Sequence, residues 1–299
     1  MAYVPLTERV GYVPGGVNIG VVQGKSGNAI MIDTGIGETN GKKALKSIRE
    51  ALESDVSAIV TTHGHADHFG ANMVVVKRTG ARVYAPSIDD VFLRYPIFQP
   101  SSLFGGADPL DSLRGGFLLA DASPVDAVYD PGPLNIDGVE FEVIDLSGHS
   151  PGQKGLLVDG IFFSADVVLP ASVLAKYRIP YLYSVSQHLI ALDRAADVNY
   201  RVAVPGHGAV TEDLSELITM NRSLVHQVID MIMTELAAPQ TAEALLTQVL
   251  CRFDATIGDA PGYYLLQPTI FAFLSHLERE GLVSHTIAER RSMWSRAAP

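Results

Sequence analysis

The chain has 299 residues, with 33 Asp+Glu against 22 Lys+Arg, nine His and one Cys. That length suggests about two domains, or one large domain with an appendage, so a sizeable core is within reach. A net charge of −11 disfavours a general binder of phosphate backbones, which needs clustered Lys/Arg, and a single cysteine, Cys251, excludes an internal disulfide.

Taken in chain order, residues 17–23 and 29–33 read as strands around a glycine-rich hairpin at 24–28. Ala44, Leu45, Ile48 and Leu52 then recur at helical spacing, and residues 56–61 form a buried-strand pattern. A further helix follows Ala71, and residues 82–85 make a short strand. Residues 86–130 alternate prolines and glycines with Phe92, Tyr95, Phe98, Phe104 and Phe117. They read as a variable insertion, either a lid or substrate loop or a helical decoration with its own small core. Strand patterns resume at 139–146, 155–158, 161–164 and 202–204.

From residue 211 the texture is helical. Leu214, Leu217, Ile218, Leu224, Val225, Val228, Ile229 and Ile232 suit one long amphipathic helix, closed by Ala237-Ala238-Pro239. Residues 241–253 give a second helix with Thr241 as N-cap, and 269–280 a third that stops at Gly281. Residues 282–286 resemble a short strand. The uncharged run 260–277 contains Pro261, Gly262, Gln267, Pro268 and His276, so it reads as a loop and then a buried helix, with no membrane span. The expected division is a catalytic domain over 1–212, including the insertion, and a helical module over 213–299. The N-terminus lacks the basic start and apolar stretch of a secretory signal, and the expected location is cytoplasmic.

One segment carries most of the chemical information. Val60-Thr61-Thr62-His63-Gly64-His65-Ala66-Asp67-His68-Phe69-Gly70 places three histidines and one carboxylate within six residues, directly after a predicted strand. Imidazole nitrogens and carboxylate oxygens are ligands for zinc, and histidine also suits iron and other borderline metals. His63 and His65 point the same way in an extended turn, while Asp67 and His68 can reach a second centre. Farther on, His149, Asp166 and His207 each sit at a predicted strand end beside a turn residue. A lone histidine there is more often a cap or a core residue. Three such groups after a cluster of four reverse that expectation.

The pattern His-x-His-x-Asp-His, followed by His, Asp and His at strand ends, resembles the metallo-β-lactamase superfamily over about residues 15–210. The resemblance implies an α/β fold, an αββα sandwich, with His63, His65 and His149 holding one metal and Asp67, His68 and His207 the other. Asp166 would bridge them. It further implies two divalent metal ions as cofactors, zinc first, with iron or manganese accepted by the same donors. A hydroxide shared between the ions would attack the substrate, with Asp67 as the catalytic group that also binds metal, and Asp33 would support the metal loop from behind.

The expected activity is hydrolysis of a small-molecule ester, thioester or lactone, as in glyoxalase II-like relatives. Cys251 lies outside every ligand position, which departs from zinc β-lactamases with a Cys ligand. The alternatives are a metal-dependent phosphodiesterase or ribonuclease and a mononuclear iron persulfide dioxygenase. Lys176, Arg178, Tyr181 and Tyr183 are candidate substrate contacts. Gln153 stands where many relatives have His or Thr, a change expected to affect only the surroundings of the site. The last third resembles the small winged-helix extension of a β-lactamase-like endoribonuclease group. Its Arg279, Arg290, Arg291 and Arg296 are interspersed with Glu278, Glu280 and Glu289, so a nucleic-acid partner is disfavoured but left open. Covering one wall of the cleft, or forming a homodimer through Phe271, Phe273 and Leu277, is the expected role.

Overall fold

The computed structural model describes residues 2–297. Among these, a first sheet holds β1 (Val4–Pro5), β2 (Val10–Val13), β3 (Ile19–Gln23), β4 (Ala29–Ile32), β5 (Val56–Val60), β6 (Arg82–Pro86) and β7 (Ala127–Tyr129), in that spatial order. The first four strands pair antiparallel. From β4 to β7 the pairing is parallel, which requires crossovers between strands. These are α1 (Gly37–Leu52), then the short α2 (Ala66–Phe69) with α3 (Asn72–Thr79). The segment between β6 and β7 carries α4 (Asp90–Arg94) and α5 (Phe98–Leu103).

A second sheet comprises β8 (Gly132–Ile136), β9 (Val139–Asp145), β10 (Lys154–Val158), β11 (Ile161–Ala165) and β12 (Val202–Pro205), ordered β12-β11-β10-β9-β8. Helices α6 (Ala171–Tyr177) and α7 (Val185–Asp197) connect β11 to β12. Then follow α8 (Ser215–Glu235), α9 (Ala242–Arg252), α10 (Ala260–Arg279) and the antiparallel hairpin of β13 (Val283–Ala288) and β14 (Arg291–Arg296).

The period of two along each strand builds the layers. In β4, Ala29 and Met31 face α1 and α3, joining Ala44, Leu45, Ile48 and Val75, whereas Ile30 and Ile32 face the second sheet. In β11, Ile161 and Phe163 meet the first sheet, while Phe162 turns to α7, joining Ala191 and Leu192. Helix, sheet, sheet and helix are therefore separated by three apolar layers, which is the expected α/β sandwich. Phe141 is 0% exposed between the sheets, and burying a side chain of that size contributes roughly 1.5–3 kcal/mol.

The C-terminal helices and hairpin share a further cluster, with Val228, Leu245, Phe273, Leu277 and Trp294. It also takes in Ile179, Leu182 and Val185, so these helices pack directly on the segment between β11 and α7.

Three expectations need correction. Helix α10 begins at Ala260, not at 269: the Asp259 side chain caps it by accepting from Gly262 N at 2.8 Å. Pro261 sits in the first turn, where the missing N–H costs nothing, and the helix runs on through Pro268. The stretch 86–130 is not wholly an insertion, because Ala127–Tyr129 forms the edge strand β7 on β6. Strands β1, β2 and β8 escaped the pattern because they are short and interrupted by Gly or Pro. No described helix is long and apolar enough to cross a membrane.

Candidate metal centre

Strand ends position the candidate ligands. β5 delivers Thr61 and Thr62, then His63, Gly64 and His65, and α2 carries Asp67 and His68. His149 lies in the β9–β10 loop, Asp166 directly follows β11 and His207 follows β12. Sheet hydrogen bonding stops at these points, so side chains from two different sheets converge on one edge of the sandwich. The backbone bends sharply there: Asp33 leaves β4 at φ 59° and Ala165 leaves β11 at φ 49°.

All seven predicted ligands come together. Their donor atoms fall into three overlapping groups, each within 4.8 Å: His63/His65/His149, His63/His68/Asp166 and Asp67/His68/His207. The first and third are the two sets expected from the sequence, and Asp166 lies between them. Its Oδ1 is 3.4 Å from His68 Nε2, and its Oδ2 is 3.2 Å from His207 Nε2 and 3.6 Å from His149 Nε2.

Hydrogen bonds fix which imidazole nitrogen faces inward. His68 Nδ1 donates to Asp33 Oδ2 at 2.7 Å, His149 Nδ1 to the Tyr181 carbonyl at 3.1 Å and His207 Nδ1 to the Gly16 carbonyl at 2.6 Å. Each Nε2 is thereby the nitrogen that faces the Asp166 carboxylate. Thr62 Oγ1 donates to Asp33 Oδ2 at 2.8 Å and so accepts from His63 Nδ1 at 3.1 Å. His63 Nε2 then faces His65 Nδ1 at 3.1 Å. Such outer bonds to carboxylate or carbonyl are what orient histidines for metal binding.

Two atoms at the centre, His68 Nε2 and Asp166 Oδ1, are buried with no hydrogen-bond partner. Orphaned buried polar atoms are rare and costly, and a divalent cation would satisfy both. The donor set of imidazole nitrogens and carboxylates fits such an ion. Burial and the neighbouring His68 and His65 hold the His63 imidazolium well below its ordinary pKa, and burial with His149 takes His65 down to about 3. Burial also opposes charge on His68, but Asp166, Asp33 and Asp67 outweigh it and push its pKa up to about 10. The three-histidine group thus offers neutral nitrogens, whereas the carboxylate-rich half exchanges protons for a cation.

A cleft opens over the ligands. Ala66, Phe117, Leu118, Leu169, Val173, Leu174, Tyr177, Ile179, Pro180 and Leu265 make its apolar walls, with Gln99 and Tyr181 supplying polar groups. Among the described residues, no Lys or Arg lines it. Of the four predicted substrate contacts, only Tyr181 does. α6 turns Val173, Leu174 and Tyr177 inward, leaving Lys176 and Arg178 on a separate groove beside residues 254–259. Tyr183 lines a third groove with Phe271 and Arg279.

Within the insertion, Leu103, Leu113 and Leu118 form a small core, while Gln99, Phe117 and Leu118 line the cleft. Asp33, the residue expected to support the metal loop, is 2% exposed, and its Oδ1 also accepts from Thr62 N at 2.7 Å. Gln153 is buried beside the site, where its Oε1 accepts from Asp166 N at 3.2 Å. The sequence reading missed Asp89. It is fully buried and bonded to both ligand loops, and only its place just after a predicted strand could have drawn attention to it.

The family model described as Metallo-beta-lactamase superfamily matches residues 12–207. A hydroxyacylglutathione hydrolase of Haemophilus influenzae is 28% identical over 148 residues, covering 49% of this chain and 64% of that protein. An atrochrysone carboxyl ACP thioesterase of Aspergillus fumigatus is 22% identical over 243 residues, covering 81% of this chain and 63% of that protein. This chain therefore spans somewhat less than two thirds of either relative's length. Among solved structures, a metallo-beta-lactamase family protein from Thermus thermophilus superimposes with a TM-score of 0.75 at 21% identity, covering 98% of this chain and 100% of that one. A beta-lactamase domain protein from Burkholderia ambifaria gives 0.76 at 17% identity, covering 99% and 95%.

Proposed function

The chain belongs to the metallo-beta-lactamase superfamily, and from that premise we propose that it is a metal-dependent hydrolase that cleaves the ester, thioester or lactone bond of an uncharged, largely apolar small molecule. The observation that carries this reading is the cleft, whose walls are largely apolar and, among the described residues, hold no Lys or Arg. A phosphodiester or nucleic-acid substrate needs cationic partners for its phosphates, and none lines the approach to the ligands. An acyl group needs only a dry surface of matching shape.

His63, His65 and His149 would hold one ion and Asp67, His68 and His207 the other, with Asp166 shared; zinc suits both sets. When bound, such ions supply Lewis acidity and lower the pKa of water into the neutral range. The residues of the chain do the rest. Asp67, with its side chain 30% exposed and lining the cleft, accepts a hydrogen bond from the attacking water and so aims it at the acyl carbon. Burial would raise its carboxyl pKa, but His68 and His207 hold it at about 2, so it remains an acceptor. Asp33 keeps His68 oriented through Nδ1, and Gln153 holds the Asp166 backbone. Tyr177, Leu174 and Leu265 exclude bulk water from the acyl group.

The test is a substrate panel at fixed metal content: neutral acyl esters, acyl thioesters and lactones against bis(p-nitrophenyl) phosphate and RNA. Turnover of the acyl substrates, rising with acyl apolarity, is expected. Hydrolysis of phosphodiesters with the acyl substrates inert would replace this reading by a nuclease one, and oxygen uptake with a persulfide by a dioxygenase one. Leu265→Arg introduces a charge into the wall and should raise KM for an apolar acyl substrate roughly tenfold or more, with a smaller change in kcat. Steady-state kinetics on the variant checks this.

A further inference from the structure

We propose that Asp89 is a positioning residue that staples the loop bearing His63 and His65 to the loop bearing His149, and so decides whether the three-histidine centre assembles; the proposal rests on the two-centre reading above. Asp89 is 0% exposed. One carboxylate oxygen accepts from Gly64 N at 2.8 Å and from Ser150 Oγ at 2.6 Å, and the other accepts from Gly152 N at 2.7 Å. Gly64 lies between His63 and His65, and Ser150 follows His149. The first loop leaves the first sheet and the second joins two strands of the other sheet, so Asp89 ties together ligands that the two ladders position separately. One backbone bond, from Lys154 N to the Thr62 carbonyl at 3.0 Å, also joins these loops; it lies beside His63 on the first loop but at the far end of the second loop from His149.

The fit around this carboxylate is close enough to restrict its neighbours. A Cβ on Gly152 would stand 2.6 Å from the Ser87 carbonyl oxygen and 2.9 Å from Asp89 Oδ1. On Gly64 it would stand 2.9 Å from Phe92 Cβ and 3.0 Å from the Asp89 carbonyl oxygen. Both glycines are needed because the Asp89 segment is pressed against both loops. The chain reaches that position at a conformational cost. Ile88, a β-branched residue, adopts φ 77° with its side chain 63% exposed, a conformation that persists only where surroundings impose it and that concentrates at functional sites. The Asp67/His68/His207 group is supported by Asp33 and the Gly16 carbonyl instead. Loss of Asp89 should therefore act on one centre and spare the other.

Outer carboxylates of this kind are worth about 10–100-fold in metal affinity. Metal-free protein titrated with Co²⁺, followed by its visible absorption and by elemental analysis after gel filtration, should bind two ions per chain. In Asp89→Ala one of the two should bind about 10–100-fold more weakly while the other keeps its affinity. Asp89→Asn retains an oxygen for Gly64 N and Ser150 Oγ but opposes Gly152 N with a second donor, so it should fall between the two. If the alanine chain does not fold, as read by its melting curve, the asparagine chain carries the test alone. Two ions bound with unchanged affinities in the folded variant, or both ions weakened equally, would overturn the staple and leave the two-centre reading intact. A single ion in the unaltered chain would overturn that reading and the staple with it.

Discussion

Replacing Asp166 with Ala should lower turnover by at least about 10²–10³-fold, the scale on which one preorganised charge-stabilising group acts, and should deplete bound metal. Among the described residues, Asp166 is the one carboxylate reached by imidazoles of both ligand sets: His68 at 3.4 Å, His207 at 3.2 Å and His149 at 3.6 Å. Without it, three histidines lose their shared anion and the two ligand groups lose their common edge. The site is built around this side chain. A Cβ at Gly206 would stand 2.1 Å from Asp166 Oδ1, so that glycine exists to admit the carboxylate. Asp166→Asn preserves the shape while removing the charge, so metal depletion there as well would assign the loss to charge and not to a cavity. Elemental analysis and initial rates on both variants check this, and an alanine variant with full metal and full activity would refute the shared role.

Asp33→Ala should cost about 3–5 kcal/mol of stability, the range for removing one member of a buried charged network. The carboxylate accepts from His68 Nδ1, Thr62 Oγ1 and Thr62 N, and all three donors would be stranded in a place closed to solvent. Urea unfolding of metal-free protein measures that loss without interference from metal binding. Asp33→Asn should act differently. Its amide can accept at one oxygen only, and where its NH₂ faces His68 the imidazole must turn to the tautomer with the proton on Nε2. That proton blocks the atom that faces the ligand cluster, so the asparagine variant should fold yet bind metal about 10–100-fold more weakly. An Asp33→Asn protein with unchanged metal affinity would show that the carboxylate does not set the His68 tautomer.

The clustering of the candidate ligands was legible in the sequence because its chemistry is written in rare residue types at strand ends. His63, His65, Asp67 and His68 sit in one short run after β5, and His149, Asp166 and His207 each mark the end or the turn of a strand. The sandwich was legible for the same reason that it is stable, namely runs such as Ile30-Met31-Ile32 and Ile161-Phe162-Phe163 whose alternate residues feed different layers. The pocket was less legible. Lys176 and Arg178 were read as substrate contacts from charge and proximity to Asp166, but the turn of α6 takes them away from the cleft and leaves Leu174 and Tyr177 in it. Leu265 was hidden because Pro261 and Pro268 made the start of α10 read as a loop. The role of Asp89 was hidden, since its partners Gly64, Ser150 and Gly152 are brought to it only by the packing of two sheets.

The most direct test of a metal-dependent hydrolase is the rate of hydrolysis of one neutral acyl thioester, measured on the same preparation before chelation, after exhaustive chelation and after Zn²⁺ is restored. The rate should vanish on chelation and return with up to two equivalents of zinc per chain. An undiminished rate in protein shown by elemental analysis to be free of metal would contradict the account.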